Sequence, residues 1–457
     1  MFSVRNGYEG IVRTLLERND VNLNIANEHG RTPLSFAAQN GHEAVVKMLL
    51  QQNDVNPNKV DECGQTPLSF AAQNGHEAIV RTLLQRNDVN PDIANGCGQT
   101  PLSFLAQNGY EAVVRILLQR NDVNPDIPDL HGRTPLSFSA RAVHEGIVRI
   151  LLDRSDVNPN IVDTLFGQTA LSWAVENGHE GVVRIFLKRN DVNPNTADAL
   201  FGPTPLSWAA QHGREGVVKS LLERSDINPD TANNHGRTPL SWAVQNGHEG
   251  VVRILLERND VNPNTVDTLF GQAPLSWAAQ HGREGLVRTL LKRSDVNPNT
   301  ADNYGQTPLS RAARHGNEGV VKILLERNDV NLKTADRYRL TPLSWATRNR
   351  HERIIKLLRG RTDLILRYVA SPQPTELFSP RHYPHSDKTN STKQNPKPAT
   401  DGSLDADRQV TAVVKLLDHP PRISHYLIGS PELPHPFHIS CYRISQILFN
   451  NLLYIRG

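Results

Sequence analysis

The string T-P-L-S begins at Thr32, Thr66, Thr100, Thr134, Thr204, Thr238, Thr307 and Thr341, and two variants, Thr169-Ala170-Leu171 and Ala273-Pro274-Leu275, fill the gaps. Successive starts are 34 or 35 residues apart. That period rules out one ordinary globular core, because a unit of this size cannot bury its own apolar face whereas a stack of units buries a continuous one. Ten headed repeats fill residues 32–363. Upstream, Phe2, Asn6-Gly7, Glu9 and Ile11 to Leu16 keep the same register, so the chain opens inside an eleventh, partial repeat over residues 1–31.

Each unit reads as two helices and a loop. Threonine is a good N-cap, and proline suits the first helical position because its missing N–H costs nothing there. The first helix is short, since Asn-Gly (Asn40-Gly41, Asn74-Gly75, Asn246-Gly247) supplies the left-handed residue that ends it. A second helix follows, with Val45, Val46, Leu49 and Leu50 forming an apolar stripe of helical period and Glu43 and Lys47 a correctly oriented i, i+4 pair. That pair recurs at Glu77/Arg81, Glu180/Arg184 and Glu318/Lys322. The helix is expected to stop at Asp-Val-Asn-Pro, from which a segment rich in Asn, Asp and Gly leads to the next Thr-Pro as a turn or hairpin.

The order T-P-L-x-x-A-A-x-x-G-H-x-x-[VI]-V-x-x-L-L…D-V-N resembles the ankyrin repeat, over about residues 1–363. The resemblance implies an all-α ankyrin-repeat solenoid of helix-turn-helix units with hairpin-like finger loops. It implies a non-catalytic protein-binding scaffold that takes its partner on a concave face of fingers and first helices. The sub-pattern R-N-D-V-N-P-N…G-Q-T-P-L-S-W-A-A-Q-N-G-H-E-G-V-V is similar to ankyrin arrays of filamentous fungi, where they often follow a NACHT-type domain; no such domain is present in this sequence. Serine (Ser35, Ser69, Ser207) stands where the family usually has histidine, so the hydrogen bonding between repeats that this histidine gives is not expected here. The segment from D-V-N to T-P-L is about two residues longer than usual, so the fingers should protrude further.

Composition narrows the partner. Lys plus Arg number 50 against 47 Asp plus Glu, which gives no general basic field for nucleic acid or membrane, so a protein recognised by shape is expected, bound by a monomer. Three cysteines, Cys63, Cys97 and Cys441, make neither a disulfide framework nor a zinc cluster and fit a reducing intracellular compartment, cytoplasmic or nuclear. No apolar signal core opens the sequence, and Ile444 to Ile455 is too short and polar to span a bilayer. From Arg337 to Arg367 there are nine Lys or Arg and two acids, read either as a polar solenoid cap or as a basic docking patch. Beyond Ser371 the repeat is lost and 11 of the 30 prolines fall in residues 371–457, expected to be a largely disordered tail with short helices near 410–417 and 444–454.

Catalytic and metal-binding patterns are incomplete, and no cofactor is expected. His42-Glu43 lacks the second histidine of H-E-x-x-H, since Val46 stands there, and Gly213 to Ser220 has Val218 where a phosphate loop needs glycine before Lys219. Pro420-Pro421-Arg422-Ile423 with Tyr426-Leu427 faintly resembles the cullin-contacting end of a SOCS box, which makes a ubiquitin-ligase adaptor the alternative to a scaffold or to the recognition part of a NACHT-type sensor. After T-P-L-S stands Phe36, Phe70, Phe104 or Phe138, then Trp173, Trp208, Trp242, Trp277, Arg311 and Trp345, a stripe open to two readings, packing between repeats or binding. The candidate partner-binding residues are the large fingertip side chains Leu165, Phe166, Leu200, Phe201, Leu269, Phe270, Tyr304 and Tyr338, for which packing of finger on finger is the competing reading.

Overall fold

The structure, a computed structural model, describes residues 1–370 apart from Asn19 and Phe201, with side chains through Asp363. Among these residues twenty-two helices form eleven pairs. The Thr-Pro reading holds at atomic level: Thr32 Oγ1 accepts from Ser35 N at 3.2 Å, Pro33 opens the helix Pro33–Gln39, and Gly41 then turns the chain at φ 80°. A Cβ on Gly41 would lie 3.0 Å from the His76 ring of the following repeat, so this glycine is required by close approach as well as by its backbone. The second helix, Glu43–Leu50, ends before Asp54 rather than at Asp-Val-Asn, with Gln51 as its C-cap and a turn over the residues that follow. The last helix differs from its counterparts and runs on from Glu352 to Ala370, past the expected end of the array at 363. The tail expected over residues 371–457, with its helices near 410–417 and 444–454, lies outside the described residues.

First helices pack on first helices and second on second. Pro33–Gln39 lies against Pro67–Gln73, which lies against Pro101–Asn108, and Glu43–Leu50 lies against Glu77–Leu84. Leu34, Ala37, Ala38, Val45, Val46 and Leu49 are buried between the two rows, as the helical stripe requires. Each such Val or Leu contributes about 1.5–3 kcal/mol when fully covered, and part of that cover comes from the neighbouring repeat.

The serine of T-P-L-S bonds inside its own repeat, Ser35 Oγ to Thr32 Oγ1 at 3.0 Å, so hydrogen bonds between repeats come from elsewhere. One set is the histidine of G-H-E, with His76 Nε2 3.0 Å from Gln39 O and His248 Nε2 3.0 Å from Gln211 O. A second is the arginine of R-N-D, which chelates its own aspartate (Arg86 Nε to Asp88 Oδ1, 2.9 Å) and donates Nη1 to the previous repeat, Leu50 O, at 3.2 Å. A third joins fingers by backbone bonds such as Glu62 N to His29 O at 3.0 Å. In the fourth, Asn58 donates Nδ2 to Asp88 O (2.6 Å) and accepts from Asn90 N at 2.9 Å.

Two variations in this frame have physical consequences. At the head of the repeat that starts at Ala273 there is no threonine hydroxyl, so the helix Pro274–Gln280 has no side-chain cap and Ser276 Oγ is buried without a hydrogen-bond partner. At the place of Asn58, other repeats carry Asp92, Asp126 and Asp230. Each accepts from the next repeat (Asn124 N to Asp92 Oδ2, 2.8 Å), but each Oδ1 is buried without a partner, because a carboxylate has no proton for the carbonyl that asparagine would serve. Burial pushes all three carboxyls above the usual aspartate range, against the pull of the Asn124, Asn158 and Asn262 N–H groups.

A carboxyl whose pKa rises on folding adds stability that is complete below its unfolded pKa and is lost as pH rises through the folded one. The triple variant Asp92→Asn/Asp126→Asn/Asp230→Asn is therefore expected to gain about 1 kcal/mol per site at about pH 7, and progressively less towards about pH 3. Urea denaturation at both pH values measures it, and an equal gain at both would contradict the assignment. Ala273→Thr is expected to gain about 1 kcal/mol through the restored cap, read as a higher denaturation midpoint. An unchanged midpoint would mean that the Ser276 hydroxyl is already satisfied.

Candidate partner-binding face

One Asx side chain anchors each finger. Asp61 Oδ1 accepts from Cys63 N and Gln65 N, both at 2.9 Å, and Asp336 Oδ1 likewise from Tyr338 N and Leu340 N. The second carboxylate oxygen is left for a side-chain donor. Trp173 Nε1 reaches Asp163 Oδ2 at 3.1 Å, Trp277 reaches Asp267 at 3.3 Å and Trp345 reaches Asp336 at 2.7 Å. Where tryptophan is absent, arginine takes the role: Arg133 Nε to Asp129 Oδ2 at 2.9 Å, and Arg31 Nε from the preceding repeat to Asp61 Oδ2 at 3.3 Å.

This explains Arg311, the one break in the aromatic stripe. Its guanidinium is buried and gives Nε to Asp302 Oδ2 at 2.7 Å, replacing an indole N–H with another donor on the same acceptor. The stripe itself is packing: Phe36, Phe70, Phe104, Phe138, Trp173, Trp277 and Trp345 are buried, and Trp208 and Trp242 are half-buried. Guanidinium groups lie over several of the rings, Arg31 over Phe70, Arg141 over Trp173 and Arg237 over Trp242, each 4.9 Å from the ring centroid. The linking Asx went unnoticed in the sequence, although its constant distance of nine or ten residues before the aromatic position was visible there.

The fingertips divide into two kinds. Leu165, Leu200, Leu269, Tyr304 and Tyr338 are exposed, at 43 to 59%. Phe166 and Phe270 are half-buried, and the Phe166 ring stands edge-on to Trp173 with centroids 6.4 Å apart. Phe201 lies outside the described residues. Backbone bonds bring neighbouring tips together, Asn303 N to Phe270 O at 2.9 Å and Arg337 N to Tyr304 O at 2.9 Å. The three Leu-Phe tips belong to fingers one residue longer than the rest, closed by Asp163 N to Gln168 O, Asp198 N to Pro203 O and Asp267 N to Gln272 O, where the others close as Asp61 N to Gln65 O. That extra residue produces the 35-residue spacings. Arg339 stands in the place of the finger glycine and keeps its left-handed backbone at φ 60°.

No three His, Cys, Asp or Glu side chains gather as a metal site among the described residues, and Lys219 sits on the regular second helix Glu215–Leu222. No described helix is long and apolar enough to cross a membrane.

A family model described as ankyrin repeats in three copies matches residues 1–94, 83–163, 104–198, 142–231, 171–267, 259–334 and 275–365. No curated protein matches the chain. Among solved structures, the ankyrin repeat domain of Bcl-3, titled a unique member of the IkappaB protein family, is similar at 26% identity with a TM-score of 0.46, over 50% of this chain and 100% of that one.

The structure leaves Trp208 Nε1 and Trp242 Nε1 buried without an acceptor; beneath Trp242 the anchoring position is Asn233, whose Oδ1 already accepts from His235 N and Arg237 N at 3.0 Å each. Asn233→Asp supplies the missing acceptor. It is expected to raise stability by about 1 kcal/mol, seen in urea denaturation, and a loss of stability would refute the anchoring role.

Proposed function

The chain belongs to the ankyrin-repeat family, and from that premise we propose that it is a non-catalytic scaffold which holds a partner protein along its fingers and first helices. The observation that carries the reading is the row of exposed apolar tips, Leu165, Leu200, Leu269, Tyr304 and Tyr338, set at equivalent positions of stacked fingers. Large apolar side chains at loop tips lose nothing in folding by being polar, and they supply the desolvated anchors that dominate binding energy. Phe166, Phe270 and Phe201 complete the candidate set, the first two being half-buried.

The absence of catalysis is supported by repetition. Chemistry needs one-off residues, and the described array offers mostly copies, with Arg311, the break in the aromatic stripe, consumed by Asp302. The adaptor reading rests on residues 420–427, outside the described part, and the sensor reading on a domain that this sequence does not contain; no observation favours either over the scaffold.

The test uses the full chain as bait to isolate a partner, followed by titration of that purified partner. Leu165→Ser/Leu200→Ser/Leu269→Ser is expected to weaken binding at least tenfold, about 1.4 kcal/mol, with an unchanged melting curve, because these side chains are exposed. Normal binding with an earlier melt would make the tips packing residues and end the proposal.

A further inference from the structure

The last two repeats gather cations around an aromatic pair. Arg314 lies 4.7 Å and Arg348 5.6 Å from the Trp345 ring centroid, and Tyr338 stands edge-on to the same ring at 6.5 Å. Tyr338 is flanked by Arg337 and Arg339, both exposed, and Arg337 N bonds to Tyr304 O, which brings the neighbouring exposed tyrosine alongside. None of Arg314, Arg337, Arg339 and Arg348 has a carboxylate partner among the described residues. The nearby carboxylates are turned inward: Asp336 is buried and accepts from Tyr338 N, Leu340 N, Trp345 Nε1 and Gln306 Nε2, while Asp302 is held by Arg311.

Elsewhere many of the recurring arginines are neutralised. The R-N-D arginines hold their own aspartates, as Arg120 holds Asp122 and Arg258 holds Asp260, and second-helix arginines pair with glutamates, as Arg115 does with Glu111. At this end four neighbouring arginines lie together without such a partner. His315 reports the same field: partial burial first, and then Arg314, Arg311, His281 and His351, push its pKa down to about 4.

We infer that this end of the finger and first-helix side binds an acidic polypeptide segment, whose carboxylates pair with Arg337, Arg339, Arg348 and Arg314 while its apolar side chains lie against Tyr338 and Tyr304. A guanidinium stacked on an indole keeps its edge N–H groups for bidentate contact with a carboxylate, so the contact with Trp345 orients Arg314 and Arg348 rather than occupying them. A polypeptide fits better than a nucleic acid because exposed apolar tips, Tyr338, Tyr304 and Leu269, stand beside these cations and continue along the edge. The inference rests on the finger and first-helix side being the binding side and names the chemistry of what binds at its end.

The experiment titrates the full chain into a fluorescein-labelled peptide of alternating Glu and Leu at low salt, read by anisotropy. Saturable binding that weakens as salt rises is expected, and Arg337→Glu/Arg339→Glu/Arg348→Glu should weaken it at least tenfold. Arg337→Gln/Arg348→Gln, which removes the charges at two exposed positions and keeps polar side chains there, should weaken it by a smaller factor and serves if the triple variant fails to fold. A control, Arg81→Glu/Arg115→Glu, removes cations of the second helices and should change binding less than about twofold. No saturable binding, equal binding by the arginine variants, or tighter binding of a single-stranded oligonucleotide of matched charge would each overturn the inference. Loss of binding in the control alone would place the peptide on the second helices and defeat the binding-side reading itself.

Discussion

Everything in this array depends on one repeat covering what its neighbour cannot cover alone. The helix Glu43–Leu50 buries Val45, Val46 and Leu49 completely only because a helix pair lies on either side of it. Of the equivalent residues in the first described pair, which has a neighbour on one side only, Val12 is still buried but Ile11 and Leu15 are exposed. Stability is thus a property of interfaces between units, and cooperativity reaches as far as those interfaces are sound.

The polar groups follow the same rule. In fingers such as those of Asp163 and Asp302 a single carboxylate closes its own turn with one oxygen and receives a tryptophan or arginine with the other, so loop shape and helix position are coupled through one side chain. Where asparagine replaces this aspartate, the consequence depends on the ring it faces. Asn27 and Asn95 precede phenylalanines, which have no N–H to satisfy, whereas Asn233 leaves the Trp242 indole unserved.

Much of the fold was legible in the sequence because it rests on local chemistry repeated many times. Thr-Pro, Asn-Gly and the Val-Val-x-x-Leu-Leu stripe each specify backbone geometry without help from distant residues, and the structure realises them. The end of the second helix was placed too late, because Asp-Val-Asn marks the next turn and the helix had already stopped at its last apolar contact, Leu50. The use of serine after T-P-L was read as a lost link, and the links run instead through His76, Arg86 and Asn58. Those bonds join residues some 30 to 37 apart, and sequence shows such partners only to a reader who already knows the stacking. The candidate tips were found by register, but register could not tell Leu165, facing out, from Phe166, turned back on Trp173. That choice is made by the ring beneath the finger.

The three fingers that carry an additional residue absorb it wholly within the turn between the anchoring aspartate and the next helix cap. Their hydrogen bonds to neighbouring fingers are kept, as Asn303 N to Phe270 O shows, and Trp277 still finds Asp267. Length is thus a free variable at the tip and a fixed one everywhere else. A foreign loop grafted between such an aspartate and its Thr-Pro would inherit a rigid pedestal on both sides, which makes these tips natural insertion points for building new recognition into an otherwise unaltered stack.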